Sequence, residues 1–250
     1  MKNPETLFIG QHIIHLSDVD STNNFAAKLV KQTKVISGTA ILAENQSAGR
    51  GQSGNVWISN PGENLTFSLV LQPKLEAKNQ FLISKIICLA LIETLQSLKI
   101  EARIKWPNDI LIRNKKIAGI LIENTLKGKQ IDNSIIGIGF NVNQAFGGDS
   151  NATSIMLETG KLNELKSILF LLFQKIETWY FQLEQSKTFL IDEAYEKVLF
   201  GLGEKRNYFK NDQSFSGTII GVNEIGQLKI QSETGRIELY NNQEIKFDLA

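Results

Sequence analysis

Cysteine and histidine are both scarce in this chain of 250 residues, which contains one cysteine and two histidines. Cys88 is flanked by apolar residues and has no partner for an internal disulfide bond, so we expect a buried thiol and a reducing, cytoplasmic setting. His12 and His15 have no cysteine or carboxylate cluster near them in the sequence. A zinc site and a Ser-His-Asp triad are therefore not expected, and we interpret both histidines as structural.

The chain also lacks an excess of charge of one sign and a long hydrophobic run. Its formal net charge is +1, and its lysines and arginines are scattered without a basic stripe or tail, so we predict no nucleic-acid partner. The longest mostly apolar run, residues 81–95, is interrupted by Ser84, Lys85 and Glu93 and is too short to cross a bilayer. We therefore expect no membrane partner.

The order of predicted elements indicates an α+β fold, with a mixed or antiparallel sheet against which helices pack. A helix is predicted to begin at Asp20 or Ser21, which can cap it, and further helices cover residues 78–98, 162–185 and 188–200. Strands are predicted over residues 11–16, 39–45, 64–72, 116–124 and 134–140.

From about residue 205 the sequence changes to short strands separated by turns, which predicts a small five-stranded barrel. A chain of this length can form one large domain with a full core and one small appended module. We therefore divide it into a first domain, residues 1–203, and a second domain, residues 204–250.

Three glycines, Gly49, Gly51 and Gly54, surround Arg50 directly after the strand at residues 39–45. Glycines let several backbone N–H groups turn toward a ligand, and the arginine adds a permanent cation, so the pattern predicts an anion-binding loop. Its literal spacing is also that of a dinucleotide fingerprint, but that fingerprint opens a helix, whereas this loop runs into a turn cluster and then a strand. The other alternative is a glycine-rich surface hairpin that binds nothing.

Two further stretches gather polar side chains at the ends of predicted elements. Asp20-Ser21-Thr22-Asn23 lies at a helix start, where free N–H groups and small polar side chains can hold an uncharged ligand such as an amide or urea. The alternative for this stretch is simple N-capping. In Lys105-Trp106-Pro107-Asn108-Asp109 the proline fixes a turn that presents a lysine for an anion and an aspartate for a metal ion; the alternative is a well-capped turn.

Taken together and in order, these stretches resemble the motifs of biotin–protein ligases. The match joins residues 20–23, 44–51, 105–109, 116–121 and 137–143, and the resemblance covers the chain from about residue 15 to its end. It implies a class II synthetase-like catalytic domain followed by an SH3-like barrel.

The resemblance implies a ligase reaction in two steps. The carboxylate of biotin attacks the α-phosphate of ATP, with Mg²⁺ on the phosphates, to give biotinyl-5'-AMP and pyrophosphate. A lysine of a biotin carboxyl carrier protein, belonging to acetyl-CoA carboxylase or a related carboxylase, then attacks the adenylate. Two unit charges about 4 Å apart repel by roughly 4 kcal/mol at an effective dielectric of about 20, and a placed ammonium can offset much of this.

The resemblance also implies roles for individual residues. Lys105, between the two anions, and Arg50 would be catalytic, and Asp109 would be the candidate metal contact. The biotin site would comprise Ser21, Thr22, Asn23, Gln46, Arg50, Gly51, Gln52, Lys105 and Gly119. The nucleotide site would comprise Gly49, Arg50, Gly51, Gly54, Trp57, Asn108, Asp109 and Asn141, with Asn141 near the adenine. The glycine loop would close over the adenylate and exclude water.

The chain departs from the arginine-rich form of the family loop, Gly-Arg-Gly-Arg-Arg-Gly-Arg, at Gln52, Ser53 and Asn55, so that only Arg50 remains charged. This predicts weaker retention of the adenylate, because fewer cations face its phosphate. The ligase motifs begin by residue 20, which leaves no room for the amino-terminal winged helix of the repressor members. We therefore expect a monofunctional ligase.

Two other functions stay open from the sequence. A lipoate–protein ligase would activate another small carboxylate on a related fold, although residues 105–109 and the carboxy-terminal barrel favour biotin. A non-catalytic biotin-binding module would have lost adenylation together with the loop arginines, although Lys105, Asp109 and Arg50 argue against it. The sequence is compatible with a monomer and with a homodimer that pairs edge strands.

Overall fold

The structure, a computed structural model, describes residues 4–147 and 150–248, and of Ser53 the backbone only. The helices are α1 (Thr22–Gln32), α2 (Phe81–Ser97), α3 (Ile155–Thr159), α4 (Leu165–Glu184) and α5 (Thr188–Lys197). The strands are β1 (Ile13–Val19), β2 (Thr39–Gln46), β3 (Leu65–Leu71), β4 (Arg103–Lys105), β5 (Asp109–Ile112), β6 (Lys115–Lys127), β7 (Gln130–Phe140), β8 (Lys205–Lys210), β9 (Gln213–Val222), β10 (Leu228–Ser232), β11 (Ile237–Tyr240) and β12 (Lys246–Phe247).

The first seven strands form one sheet in the order β1-β2-β3-β7-β6-β5-β4. Strands β1 and β2 are parallel, and α1 makes the crossover between them that a parallel pair requires. The remaining neighbours in this sheet pair antiparallel. The predicted α+β class, with a mixed sheet and packed helices, is confirmed.

Strand β3 is buried along its whole length because helices cover both faces of the sheet. On one face Phe67 and Leu69 belong to the main core, where Phe67 meets Phe173 of α4 edge to face. On the other face Val70 belongs to a smaller cluster with Ala26 of α1. A strand buried on both faces has apolar residues at successive positions, and β3 departs from this only at Thr66 and Ser68.

Helix α2 with the turn before it, Ala77–Ser97, is long and apolar enough to cross a membrane by length and composition, but 72% of its most apolar window is buried inside the fold. It packs between the sheet and the helices α4 and α5. Lys85 is nearly buried and reaches Asp192 of α5 at 2.6 Å. Cys88 is fully buried, and burial raises the pKa of its thiol well above its usual range.

Some predicted bounds were wrong, and the clearest error is the missed helix α3. Its five residues span less than two turns, so they show no readable periodicity. Gly160 ends α3 with a φ of 71°, and the N–H of Asn163 donates to Asn143 Oδ1 at 2.9 Å. These contacts hold the chain outside a helix until α4 begins, three residues later than predicted.

Several strands of the main sheet extend beyond their predicted bounds. Strands β6 and β7 continue to a tight turn at Gly128, because their ends pair with each other although these residues are mostly polar and, of the apolar ones, Ile131 belongs to the core while Leu126 is exposed. Strand β1 likewise continues to Val19, which pairs with Gln46 of β2.

The carboxy-terminal strands form a second sheet in the order β11-β10-β9-β8-β12. Its apolar side is built from Tyr208, Ile219, Leu228, Ile230 and Tyr240, all of them buried. The predicted number of five strands in this region is confirmed. The division of the chain between residues 203 and 204 stays a prediction.

One buried carboxylate holds the amino-terminal segment against α4. Glu177 accepts backbone N–H hydrogen bonds from Leu7, Phe8 and Ile9 at distances of 2.8 to 3.1 Å. Successive N–H groups that converge on a carboxylate form charge-assisted bonds, which are stronger than neutral ones. Glu177 therefore contributes to stability without any contact with the sites described below.

We predict that Glu177→Gln lowers the free energy of unfolding by about 2 kcal/mol, because a neutral amide accepts weaker bonds and offers only one acceptor oxygen. Urea denaturation would measure this, with Glu101→Gln as the matched control because Glu101 is exposed. Equal stability of the two variants would contradict the prediction.

Candidate active site

A cavity of about 380 Å³ opens over the sheet between the glycine loop, the turn at residues 105–109 and the carboxy-terminal segment. Most of the side chains that the sequence singled out meet there. Those that line the cavity are Ser21, Thr22, Asn23, Gln46, Arg50, Gly51, Gln52, Trp57, Lys105, Asn108, Asp109 and Gly119. His15 of β1 and His12, directly before β1, are exposed and lie outside the cavity.

Three residues expected at the nucleotide site do not line this cavity. Gly54 closes the glycine loop with a φ of 80° and faces open space. Gly49 is required for the backbone shape of the loop, since a Cβ there would overlap the carbonyl of Trp57. Asn141 is buried at the end of β7, where its Nδ2 donates to the Thr153 carbonyl at 3.1 Å and its Oδ1 has no partner.

One end of the cavity is polar, uncharged and buried. Ser21, one of the two residues predicted to cap α1, occupies the N-cap position, but its side chain makes no capping hydrogen bond. Thr22 instead donates its N–H and its hydroxyl to Gln46 Oε1, at 2.8 and 3.1 Å. Ser68 Oγ lies 2.7 Å from Thr22 Oγ1 and 2.6 Å from Asn23 Oδ1.

Ser68 at this end was not predicted from the sequence. Its signal is a hydroxyl residue in the middle of an otherwise apolar strand that is buried on both faces. Asn23 Nδ2 completes the network by donating to Glu123 Oε2 at 2.7 Å. This end of the cavity therefore presents hydroxyl and amide groups in a small volume, which suits a ligand that both donates and accepts hydrogen bonds.

The other end of the cavity is cationic. The described lining side chains include four cations, Arg50, Lys105, Lys116 and Lys246, and one carboxylate, Asp109. Lys116 Nζ lies 2.6 Å from Asp109 Oδ1, and Lys105 Nζ lies 3.9 Å from Asp109 Oδ2. Lys116 was not predicted as a site residue from the sequence, although it falls inside a matched motif. The excess of positive charge suits an anionic ligand.

Asp109 does not fit a direct metal contact in this arrangement, because an ammonium group faces each of its carboxylate oxygens. The residues that the structure describes hold no group of three or more His, Cys, Asp or Glu side chains that could bind a metal ion. Any divalent cation at this end would have to arrive with an anionic ligand that supplies its oxygen ligands.

Glycines of the sheet make room for the side chains above them. A Cβ at Gly139 would overlap the indole of Trp57, and a Cβ at Gly137 would lie 2.5 Å from Asn23 Oδ1. Neither glycine has a positive φ, so space is what requires them at these positions. Lys116 Nζ lies over the Trp57 ring at 5.7 Å from its centroid, which makes a cation–π contact at the cationic end.

The glycine loop is ordered by its own backbone. The N–H of Gly51 donates to the Asn55 carbonyl at 2.7 Å, and the N–H of Trp57 donates to the Gly49 carbonyl at 2.9 Å. Arg50, which is half-exposed, reaches Glu123 Oε2 at 2.5 Å rather than the centre of the cavity. The loop therefore carries its cation at the rim in this conformation.

Side-chain hydrogen bonds from Asn108 and Trp106 help to fix the turn at residues 105–109. Asn108 Nδ2 donates to the Ile120 carbonyl, so its amide braces the turn against β6 as well as lining the cavity. Trp106 Nε1 donates to the Gly226 carbonyl at 2.8 Å, which ties the turn to the β9–β10 connection of the second sheet. Lys105 also lies over the ring of Phe247 at 5.5 Å, so the second sheet contributes directly to this end of the cavity.

Comparison with known proteins agrees with this geometry. The model of the biotin/lipoate A/B protein ligase family matches residues 16–141. The biotin–[acetyl-CoA-carboxylase] ligase of Paracoccus denitrificans is 32% identical over 233 residues, covering 88% of this chain and 95% of that protein. The bifunctional ligase/repressor BirA of Bacillus spizizenii is 29% identical over 243 residues, covering 95% of this chain and 74% of that protein.

A solved structure supports the same grouping. The biotin protein ligase from Aquifex aeolicus in complex with biotin and ATP matches with a TM-score of 0.80 and 29% identity, covering 95% of this chain and 100% of that chain. The fold, the cavity and the extent of these matches together show that the chain belongs to the biotin/lipoate A/B protein ligase family.

Proposed function

We propose that this protein is a biotin–protein ligase, which converts biotin and ATP into biotinyl-5'-AMP and then transfers the biotinyl group to a lysine of a carrier protein. Relatives over most of the chain bear this activity in their names, and the matching Aquifex structure holds biotin and ATP together. The observation that carries the proposal is the cavity itself, since a buried, uncharged polar end continues into a cationic end.

The polar end suits the ureido ring of biotin. A ureido group has two N–H donors and one carbonyl acceptor, and Ser21, Thr22, Asn23 and Gln46 offer hydroxyl and amide partners for both. These side chains are positioned by the sheet, with Ser68 beneath them. Lipoate has no ureido group and would leave the buried polar groups unpaired, which is costly and favours biotin over lipoate.

The cationic end suits the meeting of a carboxylate with a triphosphate. Lys105 would stand between the two anions, with Lys116 beside it and Arg50 brought in from the rim. Mg²⁺ would be bound by the ATP phosphates and would supply further charge neutralisation there. A non-catalytic binding module has no need for this many cations beside a biotin site, so the cavity favours an enzyme.

The finer parts of the proposal concern the acceptor, the assembly and the location. The acceptor would be the biotin carboxyl carrier domain of acetyl-CoA carboxylase or a related carboxylase. The enzyme would act as a monomer or a homodimer in the cytoplasm, where the buried Cys88 needs no protection from oxidation.

Biotin-dependent exchange of labelled pyrophosphate into ATP tests the adenylation step. We expect exchange with biotin and none with lipoate, and a loss of about 10²- to 10³-fold in Lys105→Ala, the size typical of removing one electrostatic stabiliser. The exposed Lys127 provides a matched control, since Lys127→Ala removes an equal charge outside the cavity. Exchange with lipoate alone would move the assignment to a lipoate ligase, and no exchange with either would leave a binding module.

Gly139→Ala tests the proposed contact of Trp57 with the nucleotide. The added methyl group displaces the indole, so we expect the KM for ATP to rise by at least about tenfold while the KM for biotin changes little. Gly147→Ala is the control, because a Cβ there meets nothing within 4 Å and its φ is not positive. An unchanged KM for ATP in a folded Gly139→Ala protein would exclude this role for Trp57.

Gln52→Arg tests the effect of the missing loop arginines on the adenylate. We expect slower dissociation of biotinyl-5'-AMP, by about tenfold, since the added guanidinium can pair with the phosphate. Gln52 Oε1 accepts a hydrogen bond from Asn242 Nδ2 at 2.6 Å. The Gln52→Arg substitution also removes this hydrogen bond, because arginine has no acceptor atom. Gln52→Met removes that bond without adding charge and is therefore the control. If the Gln52→Arg variant releases biotinyl-5'-AMP at the same rate as the original chain, the prediction is wrong.

A further inference from the structure

A second cavity, of about 400 Å³, lies beside the active cavity, on the far side of the turn at residues 106–108. The two cavities share this turn, and they share Gln52, Ile120 and Asn242 as well. Gln52 Oε1 accepts a hydrogen bond from Asn242 Nδ2 at 2.6 Å, so this pair bridges the boundary between the two cavities. The adenylation step proposed above leaves the second cavity without a role.

Amide side chains dominate the lining of the second cavity, which we call the amide cleft. They are Gln52, Gln80, Asn108, Asn124, Gln227, Asn241 and Asn242. Apolar groups of Phe81, Trp106, Ile120 and Ile122 lie between them, and no charged side chain is found among the described lining residues. The amide cleft therefore differs sharply in charge from the neighbouring cationic end of the active cavity.

One amide of the cleft has an unpaired acceptor. Asn124 Nδ2 donates to Gln80 Oε1 at 3.0 Å, whereas Asn124 Oδ1 is buried without a hydrogen-bond partner. An unpaired buried acceptor costs free energy, and a ligand that brings an N–H group to it removes that cost. A rotation of the Asn124 side chain that brings Oδ1 to the surface of the cleft would let a ligand N–H group pair with it.

We propose that the amide cleft binds the backbone of the carrier-protein segment that flanks the acceptor lysine. The inference rests on the proposed ligase function. A peptide group offers an N–H donor and a C=O acceptor, and an asparagine or glutamine side chain offers both kinds of group as well, so the two match without charge. Phosphate and nucleotide ligands find no cation in this cleft, and the position beside the active cavity fits the one macromolecule that must reach the adenylate.

A carrier segment in this position can extend its acceptor lysine into the active cavity. A segment bound in the cleft directs a long, unbranched side chain past the bridge between Gln52 and Asn242 into the active cavity. The neutral amine then forms an amide bond with the biotinyl carbonyl carbon, the bond from that carbon to the phosphate oxygen breaks, and AMP leaves with the electron pair. The amine loses its proton to solvent.

The double variant Gln80→Ala/Asn124→Ala separates carrier binding from the chemistry. Three rates are measured on the full chain: pyrophosphate exchange with biotin, trapping of the adenylate by hydroxylamine, and transfer to an unbiotinylated biotin carboxyl carrier domain. We expect the first two within about twofold of the original chain and the KM for the carrier raised by about tenfold, since two hydrogen-bonding side chains are lost. Gln96→Ala, at the other, exposed end of α2, is the matched control.

A second variant keeps the test independent of folding defects at β6. Ile225→Trp changes an exposed residue on the opposite wall and fills the cleft without removing an amide, so we expect the same rise in the KM for the carrier. An unchanged KM for the carrier in both variants would overturn the docking proposal while leaving the ligase function intact. Absence of biotin-dependent exchange in the original chain would instead overturn the ligase function and the docking proposal with it.

Discussion

The active cavity depends on the close approach of two side chains, Asn23 and Trp57, to the middle of a sheet that is otherwise packed on both faces. Strand register makes that approach possible, because it pairs Gly137 of β7 with Ser68 of β3 and sets Gly139 beside Thr66. On the same face, Ile135 of β7, two residues before Gly137, and Val70 of β3, two residues after Ser68, pack with Ala26 of α1. The cavity thus lies where small residues replace bulky ones on this face of the sheet. The polar first turn of α1 lies over the same region.

A single carboxylate joins the two chemical ends of the cavity. Glu123 Oε2 accepts hydrogen bonds from Asn23 at the polar end and from Arg50 of the glycine loop. The ion pair is well exposed, and exposed pairs contribute only about 0.2 to 1 kcal/mol. A phosphate offers Arg50 stronger, bidentate bonds in a less solvated position, so it can draw the guanidinium inward while Glu123 keeps Asn23 oriented.

The sequence predicted those parts of the fold and site that depend on local pattern. The glycine loop, the polar start of α1 and the turn at residues 105–109 each carry their own residue signature, and the apolar spacing located the long helices and the central strands. Ser68 and Lys116 were not predicted, because only the register of β3 and β6 shows that Ser68 lies beneath the polar end and that Lys116 lines the cavity. Asn141 was expected there, yet it points into the fold, since the backbone after β7 turns away and offers it the Thr153 carbonyl. Contributions from the second sheet could not be predicted, because they depend on how distant segments pack.

In the proposed mechanism, the positive charge for forming the adenylate and the positive charge for retaining it come from different parts of the chain. Arginines in the loop could otherwise supply both. Formation of the adenylate needs positive charge where two anions meet, and in the proposed mechanism Lys105 and Lys116 would supply it from the ends of strands, where both pair with Asp109. Retention of the adenylate would need charge in the glycine loop, which the proposed mechanism places over it and which keeps only Arg50. Because the strand-borne lysines do not move with the loop, loss of loop charge leaves the electrostatics of the reaction centre largely intact. Substitutions in the loop can therefore change how long the intermediate stays bound without a matching change in how fast it forms.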